Sequence, residues 1–277
     1  MKLLPVLAAA AALAGCGGGP RAKAPATPPA PAATPGTAPA TPLFYRHGTT
    51  HAYEFSRHDS LSYETMGGGT PQVTEKTGLL IVRSIGGRVD VTLESIESGA
   101  GTRLAMSSLD SARGARWEMD LASSGPTSAL RGVSTGELVE QVGVAVRLLF
   151  PQLPPRGLTA QDVWSDSARY SLRVDAFDAV ESAVRWSRAA PANGGVRVEA
   201  SERVVRSGSA TQGGQRLSLS GTGERHITYE FAREGWVTEV TARDSLDLRV
   251  RVEGSGAIIP VRWRSALSAR LRGAPPR

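Results

Sequence analysis

Apolar and polar residues alternate along most of the chain beyond residue 43, and this period of two is typical of β-strands with one buried face. In the clearest case, Val and Leu alternate with Asp, Thr and Glu over residues 89–94, shortly after Gly86-Gly87. The apolar run 79–82 precedes these glycines, so the pattern predicts a β-hairpin. The same reasoning predicts further strands near residues 52–55, 116–122, 170–174, 184–189, 196–205, 215–221, 227–231, 236–241, 246–252 and 258–264.

The spacing of these segments predicts the fold class. Turn residues separate neighbouring segments at short intervals, among them Gly213-Gly214 and Gly221-Thr222-Gly223. About ten strands joined by short hairpins form an antiparallel meander. We therefore expect a mainly β domain over residues 43–277, folded as a curved half-barrel or as a sandwich.

One segment departs from the strand pattern. Apolar residues recur at helical spacing over residues 137–150, where Pro151 ends the segment, and Val144 and Leu148 lie outside the main stripe. They predict a helix near residues 136–150 that separates a front sheet from a back one and lies across or within the curved sheet. The helix residues that we expect to cover a pocket are Leu138, Val142, Ala145, Val146 and Leu149.

The N-terminus has the composition of a targeting signal. Lys2 is followed by the apolar run 3–13, which is too short to span a bilayer core, because spanning requires about 20 apolar residues. The run ends in Leu13-Ala14-Gly15-Cys16. An ordinary secretory signal is the alternative, but the small residues, their position and the absence of any other Cys favour a lipoprotein signal.

This tetrapeptide resembles the lipobox of bacterial lipoproteins. The resemblance implies that residues 1–16 contain a lipoprotein signal peptide, that Cys16 is diacylated and that cleavage makes it the new N-terminus. Two or more acyl chains anchor a protein stably to a membrane. Gly17 follows Cys16 where the usual inner-membrane retention signal has Asp, which favours the outer membrane, facing the periplasm.

Residues 17–42 differ sharply in composition from the rest. They are almost wholly Gly, Pro, Ala and Thr, with Arg21 and Lys23 as the only charges. Such residues cannot form a core, and Pro favours extended conformations. We expect a disordered tether with a reach of at most about 80 Å.

The combination of a lipobox, a Pro-rich tether, many antiparallel strands and one apolar central helix resembles the LolA/LolB type of envelope lipid-carrier fold. In that family a curved sheet encloses a hydrophobic cavity that helices partly plug. The resemblance covers residues 43–277 and is architectural, so it implies a lipid-like ligand without assigning any functional residue.

The net charge of +6 raises the question of nucleic-acid binding. Lys2, Arg21 and Lys23 lie outside the predicted domain, however, and leave only +3 on residues 43–277. The densest basic cluster is C-terminal and consists of Arg262, Arg264, Arg270 and Arg272. A solvated face explains this cluster better, so we expect no nucleic-acid partner, while contact with anionic lipid head groups stays open.

The segment 132–136 matches the Gly-x-Ser-x-Gly nucleophile motif of hydrolases and precedes the predicted helix. That motif needs a parallel sheet and a His on a loop, whereas His226 is the only later His and begins an alternating strand. We interpret Ser134 and Glu137 instead as a capping box, whose side chains satisfy backbone amides at the helix start. We expect no catalytic residue and no enzyme activity.

Three histidines near the start of the domain, His47, His51 and His58, lie close in sequence to Asp59, a combination that can bind a metal ion. The stretch reads as extended, and no second cluster of ligands completes a site. We interpret them as surface histidines and expect neither a metal nor a cofactor.

Together these features predict a membrane-anchored envelope protein whose domain binds a lipid-like or amphipathic ligand between sheet and helix. A structural or assembly protein that docks another envelope protein is the alternative, and a hydrolase is third. A large apolar cavity under the helix would favour the carrier. A free sheet edge or exposed apolar patch would favour docking, and a polar cleft with converging carboxylates or His226 would favour the enzyme.

Overall fold

The alternating segments form one antiparallel sheet in the computed structural model, which describes residues 41–64, 71–99, 102, 104–174, 176–192 and 195–273. These residues contain twelve strands and two helices. The strands are β1 (Thr49–Tyr63), β2 (Gln72–Ile85), β3 (Arg88–Ser98), β4 (Arg116–Ala122), β5 (Gly125–Pro126), β6 (Arg131–Gly132), β7 (Val163–Val174), β8 (Phe177–Ala192), β9 (Gly195–Gln212), β10 (Gln215–Ala232), β11 (Val237–Val252) and β12 (Ile258–Leu271). The helices are α1 (Met106–Ala112) and α2 (Glu137–Leu148).

The order of the strands makes the sheet a curled half-barrel instead of a sandwich. The order is β5-β4-β3-β2-β1-β12-β11-β10-β9-β8-β7, and β6 pairs with β4. Because β1 pairs with β12, from Tyr53 opposite Leu271 to Tyr63 opposite Val261, the strands before and after α2 belong to one sheet. The predicted separation into a front and a back sheet is therefore wrong. The two groups of strands are the halves of one curved layer.

Several predicted segments merge into longer strands. Segments 215–221 and 227–231 are both parts of β10, so the turn predicted at Gly221-Thr222-Gly223 is wrong. At Gly223 a Cβ atom would come within 2.1 Å of the backbone oxygen of Ser245, and glycine permits this close approach of β10 and β11. The turns predicted at Gly86-Gly87 and Gly213-Gly214 are confirmed, and all four glycines have positive φ angles.

The predicted helix is confirmed as α2, but its start differs from the capping box. Gly136 occupies the N-cap position with φ of 140°, and no side chain caps the helix there. The hydroxyl of Ser134 instead accepts a bond from the backbone N–H of Arg116, across 3.3 Å. Pairing of β6 with β4 holds this segment beside β4, which explains why the hydroxyl is used away from the helix.

Two apolar clusters fill the concave side of the sheet. The larger cluster joins α2 to inward residues of β1 to β4 and β9 to β12, and includes Tyr53, Ile227 and Trp236. The smaller one joins residues such as Leu219 and Leu246. Along β10 the inward residue Arg225 stands between Leu219 and Ile227, so charged groups are buried where the clusters adjoin.

The N-terminal predictions concern a part of the chain beyond the described residues. The signal peptide, Cys16 and nearly all of the tether precede residue 41. The residues that the structure describes belong to one compact unit, Pro39–Arg277. Of the helices within them, neither is long and apolar enough to cross a membrane.

Candidate functional site

Helix α2 turns its predicted stripe toward the sheet. All five residues expected to cover a pocket lie in the larger apolar cluster, at most 8% exposed, and fix the helix on the concave surface: Leu138, Val142, Ala145, Val146 and Leu149. None of them lines the cavity between α2 and β7, although Leu138 lines a smaller one of about 150 Å³ beside α1. The helix residues that line the former cavity are Val144, Arg147 and Leu148, on the flank that faces β7. The covering role of the stripe stays a prediction.

The α2–β7 cavity, as we name it, lies between α2, the segment after β5 and the edge strand β7, and has a volume of about 680 Å³. A second cavity of about 470 Å³ adjoins it and shares Arg147, Ser171, Leu130 and Val180. Both volumes are in the range of small-molecule sites. The main apolar lining residues of the α2–β7 cavity are Met119, Pro126, Leu130, Val144, Leu148 and Phe150.

Arg225, which lines the α2–β7 cavity, belongs to a group of buried ion pairs behind it. Arg225 donates to Glu181 at 2.9 Å and to Glu202 at 2.8 Å, and its Nε donates to Asp244 at 2.8 Å. Glu181 also accepts from Arg206. Each of these side chains points to the concave side of β8, β9, β10 or β11, because its position continues the apolar alternation of its strand.

A second buried group of charges lies on β1 and β2. Asp59 accepts from Arg57 and from Lys76, at 2.8 and 3.1 Å. Trp263 connects the two groups, because its indole N–H donates to Asp59 across 3.3 Å while Arg206 lies over its ring at 4.2 Å. We call the connected set the ion-pair layer. It comprises Arg57, Asp59, Lys76, Glu181, Arg185, Glu202, Arg206, Arg225 and Asp244.

The electrostatics of the layer keep Glu181 and Asp59 ionised. Burial alone raises the pKa of Glu181, but Arg225 and Arg206 outweigh it and lower this pKa to about 2. The pKa of Asp59 is likewise about 2, because Arg57 and Lys76 outweigh its burial. Carboxylates held in this way stay charged at neutral pH and do not act as general acids there.

Tyr170 of β7 contacts the ion-pair layer and also lines the α2–β7 cavity. Arg225 donates to the Tyr170 hydroxyl at 3.0 Å, and that hydroxyl also donates to Glu181. Burial raises the pKa of Tyr170 to about 12, so the phenol stays protonated. Over the ring lies the guanidinium of Arg147, 4.6 Å from its centroid. This stack brings a cation of α2 to the cavity wall.

Asp166 is the carboxylate that lines the α2–β7 cavity, and it is poorly paired. It lies 3.9 Å from Arg185, whose Nε donates to Glu202 at 2.6 Å. Its Oδ2 atom is buried and has no hydrogen-bond partner among the described residues. Burial raises the pKa of Asp166 above its ordinary value.

His47, His51 and His58 do not form a cluster in the structure. His47 contacts the hydroxyl of Ser84 at 3.0 Å, His51 lies 4.7 Å from the ring of Trp236 on the concave side, and His58 is exposed. Over the described ranges, no three His, Cys, Asp or Glu side chains are grouped as a metal site requires. His51 is only partly exposed, because it packs against Trp236, and burial lowers its pKa.

The C-terminal arginines lie on β12 or directly after it, and three of them have acidic partners on neighbouring strands or just beyond their ends. Arg262 pairs with Glu64 at 2.7 Å, and Arg272 lies 3.6 Å from Glu54. Arg264 lies 3.5 Å from Asp247. The cluster is thus interleaved with acids that only strand pairing brings close.

Comparison with known proteins gives no relative in sequence. No protein-family model matches the chain, and no curated protein matches it. Solved structures similar to it include a BenF-like porin from Pseudomonas fluorescens Pf-5, at 7% identity and a TM-score of 0.25, covering 81% of this chain and 99% of that one. Similarity at this level carries no functional argument.

Proposed function

We propose that this protein is a lipid-anchored envelope protein whose β domain binds an amphipathic, lipid-like ligand in the α2–β7 cavity without catalysing a reaction. The observation that carries the proposal is the composition of the cavity. Apolar side chains of α2 and of the segments beside it line the cavity together with a few polar groups, among them Arg147, Tyr170 and Arg225. Ligand sites commonly combine a mainly apolar lining with a few placed polar groups.

The setting that we propose for this site is the periplasmic side of the outer membrane. Lipidated Cys16 would hold the protein there, and residues 17–42 would let the domain reach ligands away from the surface. Both features are predictions from the sequence. Together they suit a carrier or receptor that exchanges an apolar molecule near a membrane.

The converging carboxylates favour binding over catalysis. Glu181 and Glu202 meet at Arg225, but Glu181 is wholly buried and is held by Arg206 and Tyr170 as well. Such an arrangement positions a guanidinium, and the lowered pKa of Glu181 leaves that carboxylate no proton to exchange at neutral pH. His226, the other group that would indicate an enzyme, lies on the exposed face of β10, 3.3 Å from Ser201.

Native mass spectrometry tests the proposal. The mature chain with Cys16→Ser is secreted into a bacterial periplasm behind an ordinary signal peptide, so that neither acyl chains nor detergent are present. We expect co-purified lipid or another amphipathic molecule. The variant Ala168→Trp, which fills the cavity from β7, should lose that ligand. Ala190→Trp, at an exposed position of β8, is the matched control and should retain it.

A ligand-free mass under conditions that keep lipid on a known carrier would contradict the proposal. So would an equal amount of ligand on the Ala168→Trp variant and on its control. The melting temperatures of both variants should stay close to that of the parent, because each substitution is at an exposed position.

A second candidate function, docking of another envelope protein, is favoured by the edge strand β7. Twelve residues of β7 pair with β8 on one side only, and Val163, at 74% exposed, lies at its start. Such an edge can accept an extended strand of a partner. Crosslinking from residue 165 in cells would reveal a protein adduct if docking is the function, and the Ala168→Trp variant would then keep its native role.

A further inference from the structure

Arg147 differs in its pairing from the other two arginines of the cavity wall that are mostly shielded from solvent, Arg185 and Arg225. Arg185 and Arg225 each contact carboxylates, at distances down to 2.5 and 2.8 Å. Arg147 has no ion pair with any carboxylate of the described residues. Its Nη2 donates a long bond of 3.3 Å to the backbone oxygen of Ser171. Its Nη1 is buried and, within the described residues, has no acceptor at all.

A buried guanidinium N–H without an acceptor is costly, and native structures usually satisfy such groups. The last turn of α2 offers a partial explanation, because a cation near a helix C-terminus interacts favourably with the helix dipole. The dipole supplies no acceptor for Nη1, however. Burial also lowers the pKa of Arg147, because removal from water disfavours the charged form of a cation.

Arg147, whose Nη1 has no acceptor in the described part of the chain, lies in the wall of the proposed ligand site. It lines both the α2–β7 cavity and the adjoining cavity, so it stands where the two meet. The guanidinium of Arg147 lies over the ring of Tyr170. Val144 and Leu148, from the same helix, give the apolar wall beside it. A ligand with an acidic end and an apolar chain would satisfy both features at once.

We propose that the ligand of this cavity is an acidic amphiphile, and that Arg147 binds its carboxylate or phosphate head group. This inference rests on the proposed function and adds the chemical class of the ligand. A guanidinium presents parallel N–H groups that fit the oxygen pairs of both anions. The apolar chain of the ligand then extends along Leu130, Val144 and Leu148.

Asp166 leads to a second prediction about the charge of the ligand, which does not depend on a change at Arg147. This poorly paired carboxylate lines the same cavity as Arg147 and adds negative charge to it. An anionic head group would be repelled by it, whereas an uncharged one would not. Replacing Asp166 with Asn should therefore strengthen the binding of anions selectively.

The test is calorimetric titration of the secreted Cys16→Ser chain with three probes that share a dodecyl-length chain: dodecanoate, monododecyl phosphate and uncharged monolaurin, each below its micelle concentration. We expect at least one anion to bind about tenfold more tightly than monolaurin. Arg147→Gln should remove this preference and leave monolaurin binding unchanged. Asp166→Asn should increase the preference. Whichever anion binds more tightly identifies the head group as a carboxylate or a phosphate.

Arg113→Gln is the control, because Arg113 is an exposed arginine that lies outside the cavity. It should bind all probes as the parent does. Retained monolaurin binding shows that the Arg147→Gln variant is folded. If the three probes bind alike and Arg147→Gln changes nothing, the head-group assignment is wrong while the proposed function stands. If no probe binds, both are wrong.

Discussion

Arg225 in β10 donates a hydrogen bond of 3.0 Å to the hydroxyl of Tyr170 in β7, three strands away in the sheet. The bond crosses the concave side and joins the buried charges to the cavity. Tyr170 therefore has two separate roles. Its hydroxyl belongs to the ion-pair layer, and its ring supports Arg147.

The two roles of Tyr170 can be separated by substitution. Tyr170→Phe should lower the free energy of unfolding by about 1 kcal/mol, because one buried hydrogen-bonding group is lost. It should leave the affinity for dodecanoate unchanged. Tyr170→Leu should also weaken that affinity, since Arg147 loses its stacking partner. Urea unfolding and calorimetry check both effects, and equal affinities in the two variants would refute the supporting role of the ring.

Glu181 is expected to be the most sensitive acid of the ion-pair layer. Glu181→Gln leaves Arg206 and Arg225 buried with less compensating charge, so the protein should lose about 3–5 kcal/mol of unfolding free energy. Asp110→Asn breaks an exposed pair with Arg113 and should change stability by less than about 0.5 kcal/mol. Similar losses in the two variants, measured by urea unfolding, would show that the buried pairs contribute no more than the surface one.

Acid should destabilise the domain over a defined range. The pKa values of Glu181 and Asp59 are about 2 in the folded state and about 4 in an unfolded chain. Because the folded values are lower, both groups stabilise the fold above about pH 4 and lose this contribution as the pH falls toward 2. Unfolding free energy measured from pH 7 to 2 should therefore decline below pH ~4. The double variant Asp59→Asn, Glu181→Gln should show a shallower decline.

Two inward tyrosines form a matched pair for measuring one hydrogen bond. Tyr53 donates to the backbone oxygen of Val237 at 2.7 Å, whereas the hydroxyl of Tyr229, equally buried, has no acceptor among the residues described. Tyr53→Phe should cost about 1 kcal/mol of stability. Tyr229→Phe should be neutral or stabilising, since it removes an unpaired polar atom. The reverse order in thermal unfolding would show that the hydroxyl contacts differ from those in the structure.

The approach of β10 to β11 depends on glycine. Gly223→Ala would place a methyl group 2.1 Å from the backbone oxygen of Ser245, so the strands would have to separate. We expect a loss of about 1–3 kcal/mol. Ser220→Ala, at an exposed position of the same strand, should stay within about 0.5 kcal/mol of the parent. Equal stability of the two variants would contradict the close approach.

Much of the fold could be predicted from the local pattern of apolar, polar and glycine residues. The predicted hairpin over 79–94 and the predicted helix are both found, because periodicity and turn glycines act over a few residues. Strand length was underestimated where Gly221, Gly223 or an inward charge interrupts the apolar alternation. Only pairing with neighbouring strands shows that such positions lie inside a strand.

The site itself depends on contacts that the sequence does not display. Glu181, Glu202 and Arg225 are 21 to 44 residues apart, and strand register alone brings them together. One signal was available. Glu202 occupies the same face of its strand as Val198, Ala200 and Val204, which marks it as a charge on a buried face. Arg147 carried no comparable signal, because a basic residue in the last turn of a helix is common.

The pairing of β1 with β12 delays completion of the sheet during synthesis. A ribosome makes the N-terminus first, so Leu271, the partner of Tyr53, is made 218 residues later. Until β12 is made, the central ladder is missing, and β1 and β11 each present an unsatisfied edge. A chain that ends before residue 258 therefore keeps two open edges, which can pair with other chains.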